Sequence, residues 1–198
     1  GMGKKFFSAK KLAALGVLTA LSLITFLIEN LFPPLFIPGA KLGLANAFSF
    51  IALIIYSPVE AFIIVGVRTL LGAVFAGNVS AVMYSFTGGV VSMAVSSILL
   101  YCVHPKISVV CVSVVAAAFH NLTQNVVFVL VTSTPLAFSY APYLMLIGVL
   151  SGAFIGAAVT LIVKRVPTEA FARITGIKTV KGSKPDDGNG ESQNNVKS

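Results

Sequence analysis

Charge is what this sequence has least of. Only 10% of its 198 residues are charged, where a soluble domain carries about 25%. From Leu12 to Val163 the charged side chains are Glu29, Lys41, Glu60, Arg68 and Lys106 alone. So few charges cannot clothe a soluble domain in a polar shell. Tryptophan is absent, and both aspartates, Asp186 and Asp187, lie near the C-terminus. An apolar stretch without aspartate offers no Ser–His–Asp set and no carboxylate-rich metal cluster. With two cysteines, Cys102 and Cys111, a disulfide scaffold is excluded, and they read as buried, inert thiols near one membrane face. No Gly-x-x-x-x-Gly-Lys-Ser/Thr run is present, so the chain holds no nucleotide-binding loop of that type.

What is abundant is apolar sequence, 57% of the chain. A hydrocarbon core about 30 Å thick takes roughly 20 apolar helical residues. Six stretches qualify: Leu12–Ile28, Leu42–Tyr56, Val59–Ala76, Val79–Tyr101, Ile107–Val131 and Tyr140–Val163. The second is short. The expected fold is all-α, a polytopic six-helix membrane bundle. Ser57-Pro58, Gly77-Asn78 and His104-Pro105-Lys106 are connectors short enough to force antiparallel neighbours. The chain divides into a basic N-terminus at 1–11, a membrane domain at 12–163, a short basic segment at 164–177 and a disordered tail at 178–198. Within the basic segment, Thr168–Thr175 could form a surface helix. Gly1 ahead of Met2 reads as a cloning remnant. The first span follows four lysines like a signal peptide. It lacks a small-x-small cleavage site, so it reads as a retained helix.

The net charge of +8 is placed by topology rather than by nucleic acid. With the N-terminus inside, 12 of the 14 basic residues fall on the cytoplasmic side. Both termini are then cytoplasmic in a plasma-membrane protein, with the basic ends resting against anionic lipid. Two connectors on the outer side are longer than turns: Glu29–Lys41, with three prolines, and Thr132–Ser139. Each is a lid over the bundle mouth or a loop lying in headgroups.

Ionisable and polar residues at membrane depth are the candidate site. Arg68 lies some 13 Å into its span at about 1.5 Å per residue. It faces inward, toward Glu29, a ligand anion or backbone carbonyls. His120, Asn121, Gln124 and Asn125 share an arc of about 140° on one helix. That arc is a ligand-facing wall or an inter-helix hydrogen-bond cluster. Lys41 and Asn46 flank the entry to the second span, where a cation and helix amides make an anion site, unless Lys41 merely snorkels. His104 reads as solvated, and no metal or cofactor is implied by any of these residues.

Small residues recur four apart. Gly148, Gly152 and Gly156 form a stripe for internal packing, as do Gly72 and Ala76. Ala13, Gly16 and Ala20 form a similar stripe on the first span, open to an internal neighbour or a partner helix.

Several motifs carry a family resemblance. Pro38-Gly39-Ala40-Lys41-Leu42-Gly43-Leu44-Ala45-Asn46 resembles the hallmark of heptaprenyl diphosphate synthase component I, also called the Gx transporter family. Val67-Arg68-Thr69-Leu70-Leu71-Gly72, Ser85-Phe86-Thr87-Gly88-Gly89 and His120-Asn121-Leu122-Thr123-Gln124 support it. That family is in turn similar to the S components of energy-coupling factor transporters. The resemblance implies a six-helix subunit that captures a small molecule from outside through gating loops. It also implies docking, through small residues of the first helix, on a membrane coupling subunit driven by ATPases. The usual docking pair is two alanines four apart, and here Ala13 is followed by Val17 and Gly16 by Ala20. The family name implies prenyl synthesis, but the aspartate-rich motifs that hold magnesium diphosphate are missing. The expectation is therefore a non-enzymatic, S-component-like subunit for a partly anionic vitamin-like or isoprenoid-related molecule, with Arg68, Lys41, Asn46, His120, Asn121, Gln124, Asn125 and Glu29 at the site. The alternative is a non-catalytic membrane subunit of a prenyl, quinone or electron-transfer assembly.

Overall fold

The computed structural model describes residues 9–31, 42–77, 79–104 and 106–165. Six α-helices account for most of them: α1 Ala9–Leu31, α2 Asn46–Ile55, α3 Pro58–Ala76, α4 Val79–Cys102, α5 Val109–Thr132 and α6 Ala141–Arg165. A 3-10 helix, Pro135–Tyr140, joins α5 to α6. Among the described residues there is no strand. Lipid offers no hydrogen bonds, so apolar segments of this length must satisfy their own backbone as helices. Five of the helices are long and apolar enough to cross a membrane.

Local sequence sets the helix ends. Pro58 takes the first position of α3, where its missing N–H costs nothing. Gly77 closes α3 in a left-handed conformation, φ +63°, and its N–H donates to Ala73 O at 3.1 Å. Ser108 caps α5 by accepting from Cys111 N at 3.1 Å.

The polarity of the bundle is reversed relative to a soluble domain. Leu70, Val74, Phe75, Leu130 and Phe154 are exposed, while Ser22, Arg68, Thr69, His120 and Asn121 are buried. That distribution suits a protein whose surroundings are hydrocarbon. The chain is a multi-pass membrane protein with an all-α fold.

The second span departs from expectation. Leu42–Tyr56 reads as a sixth full crossing, but its helix covers only the 10 residues Asn46–Ile55. At about 1.5 Å per residue that is roughly 15 Å, half the hydrocarbon thickness. Composition shows a predominantly apolar run here, whereas two tertiary contacts and a glycine break the helix. Gly43 is left-handed at φ +70°. Leu44 N donates to Glu29 Oε1 at 2.8 Å, and Ser22 Oγ donates to Ala45 O at 2.8 Å. Irregular backbone at membrane depth is tolerated when protein groups satisfy it in this way.

The helices are arranged around this half-length element. α1 packs on α3, α3 on α4, α4 on α5 and α5 on α6, while α2 touches α1, α3, α4 and α6. Its C-terminal end lies beside a latch that ties α1 to α3. Lys11 pairs with Glu60, Ser57 donates to the same carboxylate, and Lys11 also stands over the Tyr56 ring. Its N-terminal end therefore opens near the middle of the bundle.

The expected packing stripe on α6 is present. A Cβ on Gly148, Gly152 or Gly156 would come within 2.7–2.9 Å of the α5 backbone at Ala117, Val114 or Val110. Only glycine permits that backbone approach. Gly72 gives way in the same manner to the Phe26 ring. Cys102 and Cys111 correct a second expectation, since both are exposed. They sit at the adjoining ends of α4 and α5, and their side chains face away from the packed interior. The proposed lid over Glu29–Lys41, the Thr168–Thr175 helix and the tail lie outside the described residues, apart from the Glu29–Leu31 end of α1.

Candidate functional site

Four helices bring polar side chains together where α2 begins. Arg68 projects from α3 and is 1% exposed. Its Nη2 donates to Asn46 Oδ1 at 3.0 Å, and its Nη1 makes a long contact of 3.5 Å with Ser22 Oγ. Asn46 Nδ2 lies 3.1 Å from His120 Nδ1. The chain of bonds assigns each group a role. A guanidinium can only donate, so Asn46 presents its oxygen to Arg68 and its NH2 to His120. His120 Nδ1 must then accept, which puts the imidazole proton on Nε2. Glu29 anchors Leu44 N and acts electrostatically on Arg68.

Two neighbouring glycines of α4 make room for this cluster. A Cβ at Gly88 would stand 2.9 Å from His120 Cε1 and from Gln124 Cγ. A Cβ at Gly89 would stand 2.8 Å from Val65 Cγ1 and 3.2 Å from Arg68 Nη2. The pair closes the motif Ser85-Phe86-Thr87-Gly88-Gly89. In the structure it is packing of a particular kind, the wall against which the polar side chains lie. Gly43 closes the other side, with Asn46 and His120 within 3.5 Å of its Cβ position.

A narrow cleft of about 20 Å³, room for about one water molecule, adjoins the cluster. Gly43, Asn46 and His120 line its upper part, and Ser92, Ser96 and Ser113 its lower part. Serines are easily overlooked in an apolar sequence. Their signal here is spacing, since Ser85, Ser92 and Ser96 of α4 repeat on one helical face and all three are buried.

The polar arc of α5 is split by its neighbours. Asn121 Nδ2 donates to Leu144 O of α6 at 2.9 Å, and Asn125 Nδ2 donates to Ala137 O of the 3-10 helix at 3.0 Å. Those two residues fasten α5 to the elements that follow it. His120 and Gln124 turn instead toward α4, and His120 toward α2 as well. Gln124 is 2% exposed, and neither its Oε1 nor its Nε2 has a hydrogen-bond partner. Arg68 Nε is likewise buried without one. Leaving a buried polar group unpaired costs about 1–3 kcal/mol, and Asn125 Oδ1, Ser49 Oγ and Ser96 Oγ are buried without a partner as well.

The remaining candidates are spread more widely. Lys41 lies outside the described residues. Ala13, Gly16 and Ala20 are exposed on one side of α1, and a Cβ on Gly16 would meet nothing within 4 Å. That stripe is left open by the chain's own helices. His104 is exposed, as expected.

The fold and this buried cluster define a class first, a polytopic helical membrane protein with a polar centre around a half-length helix. The family model for heptaprenyl diphosphate synthase component I matches residues 18–162, and the chain belongs to that family. No curated protein matches the chain.

Proposed function

We propose that this protein is the substrate-binding subunit of an importer of the energy-coupling-factor type. It takes a small, partly anionic, vitamin-like or isoprenoid-related molecule from outside the cell. The observation that carries the reading is Arg68. A guanidinium buried at mid-bundle whose direct hydrogen bonds go to the neutral Asn46 and Ser22 retains positive charge for an incoming anion. Glu29 moderates that charge from a distance and keeps the free site tolerable. Asn46 and His120 hold the guanidinium in place, so little reorganisation is needed on binding. The cleft and the unpaired Gln124 amide supply neutral contacts alongside.

In this reading the protein is not an enzyme and the energy comes from elsewhere. A membrane coupling subunit with ATPases docks along Ala13, Gly16 and Ala20, which the chain's own helices leave open. The protein resides in the plasma membrane with both termini cytoplasmic, an orientation supported by the distribution of lysine and arginine.

The test is native mass spectrometry of the protein purified in mild detergent, with uptake measured in cells. Wild type should carry a retained small molecule, and Arg68→Gln should lose both it and uptake. Wild type that retains nothing, together with uptake indifferent to Arg68→Gln, would overturn the reading.

The words of the family's description favour one second reading, a non-catalytic membrane subunit of a prenyl or quinone assembly. Co-purification with a prenyl synthase or redox protein, and not with ATPases, would select it.

A further inference from the structure

The connector Thr132–Ser139 reads from sequence as a lid over the bundle mouth or as a loop in headgroups, and its built form separates the two. α5 ends in the left-handed residue Ser133, φ +52°, and Pro135 opens the 3-10 helix. Ala137 N donates to Thr134 O at 3.1 Å, and Asn125 Nδ2 donates to Ala137 O at 3.0 Å. Ala137 is the one buried residue of the 3-10 helix. The segment thus rests by a small residue on the two helices it joins, α5 and α6. A lid would turn its apolar side chains down onto the mouth. Here they turn outward: Leu136 is 76% exposed, and Phe138, Tyr140 and Tyr143 are exposed beside it. Among the described residues that line the cleft, none belongs to the 3-10 helix.

Charge and length set what those side chains meet. From Ile107 to Val163 the chain carries no Asp, Glu, Lys or Arg. The 3-10 helix offers water only the hydroxyls of Ser139 and Tyr140, which is a poor surface for a segment standing free in solvent. α5 has 24 residues and α6 has 25. At about 1.5 Å per residue each is about 36 Å long, against a hydrocarbon core of about 30 Å. Their shared end therefore emerges at headgroup level, neither at mid-membrane nor far out in water. Leu130 and Val131 before the connector and Tyr143 and Leu146 after it are exposed too, so lipid-facing surface borders it on both sides. Tyrosine suits that level, with its ring at the acyl boundary and its hydroxyl in water.

We infer that the 3-10 helix is an interfacial anchor, seated in the headgroup boundary of the bilayer through Leu136, Phe138, Tyr140 and Tyr143, and forms a fixed rim of the bundle rather than a lid. The partner is the lipid surface itself. It is met by apolar and aromatic side chains without charge, so anionic headgroups are not required. This anchoring is independent of what the polar cluster binds, and it would hold equally for a membrane subunit with no substrate.

The chain has no tryptophan, so a single introduced one reports its own surroundings. Leu136→Trp and Phe138→Trp are made in the full-length protein and reconstituted in phosphatidylcholine vesicles. Both should be quenched at least twofold more strongly by lipid brominated near the headgroup than by lipid brominated near the chain end, and only weakly by aqueous acrylamide. Phe154→Trp, exposed midway along α6, should show the reverse order of the two lipids. Replacing half of the phosphatidylcholine by phosphatidylglycerol should leave the pattern unchanged. Strong acrylamide quenching without lipid quenching at both positions would put the segment in water, as a lid or free loop, and overturn the inference. Protection from all quenchers would put its side chains against protein, and the order seen for Phe154→Trp would sink it into the hydrocarbon; either result overturns the inference as well.

Discussion

The two sides of α5 are built on opposite terms. Toward α6 its backbone meets Gly148, Gly152 and Gly156, and Asn121 and Asn125 close hydrogen bonds to Leu144 O and Ala137 O. Toward α2 and α4 it presents His120 to Asn46 and the cleft, and His120 and Gln124 to Gly88, with both ends of the Gln124 amide unpaired where Asn125 on the other side leaves only its Oδ1 so. The same residue types bond to a neighbouring element on one side, through Asn121 and Asn125, while on the other His120 bonds to α2 and Gln124 bonds to nothing. Polar side chains in a membrane helix are thus no evidence for a site by themselves. Whether their partners lie within the protein is what separates a fastening from a binding surface.

The comparison breaks first at the glycines. Gly152→Leu would drive a side chain into the Val114 backbone, which cannot yield. A loss of about 3 kcal/mol or more is expected, seen as a collapse of folded yield and unfolding temperature in detergent. Gly16→Leu on the open face of α1 should leave stability unchanged, and equal losses for the two would deny that α5–α6 is the cohesive seam.

Arg68→Gln comes next. It should weaken the retained ligand by about 2 kcal/mol, roughly thirtyfold, by titration or loss from the mass spectrum. Folded yield should persist, because the substitution removes a buried charge whose direct hydrogen bonds go to neutral groups. Gly88→Ala should act between these extremes. Its Cβ meets the side chains of His120 and Gln124, which can shift by rotation, rather than backbone. Stability should fall by about 1 kcal/mol, with ligand retention falling further than in Gly148→Ala.

The smallest effect is at the latch. Lys11→Ala breaks a pair with Glu60 whose lysine side chain is 21% exposed. A loss of about 1 kcal/mol or less is expected in thermal unfolding, with no change in ligand retention.

Much of this architecture is legible in the chain. Five of the helices lie within a few residues of their expected limits, because hydropathy over twenty residues has only one physical outcome in lipid. The α6 stripe is legible because backbone approach demands glycine at fixed spacing. The half-length α2 is not. Its apolar composition matches that of a full span, and what stops it is Gly43 together with bonds from Glu29 and Ser22 of a different helix. The arc on α5 is visible as polarity, but its division is not. Asn121 and Gln124 differ by only 60° around the helix at 3.6 residues per turn, and the neighbours on either side belong to distant sequence. Gly88-Gly89 carries a motif whose purpose emerges only once Arg68, His120 and Gln124 are seen against it.

The division of α5 is tested most directly by one paired measurement, the thermal unfolding of Asn121→Leu and Gln124→Leu in ligand-free protein. Both replace a buried amide on the same helix by a similar apolar volume. Asn121→Leu should lose stability by about 1 kcal/mol, since it removes the hydrogen bond that ties α5 to Leu144 O of α6. Gln124→Leu should unfold at the wild-type temperature or above it, since it removes two unpaired polar atoms. Equal destabilisation by both would mean that Gln124 is a fastening like Asn121, and would contradict the assignment of that side of α5 to a ligand.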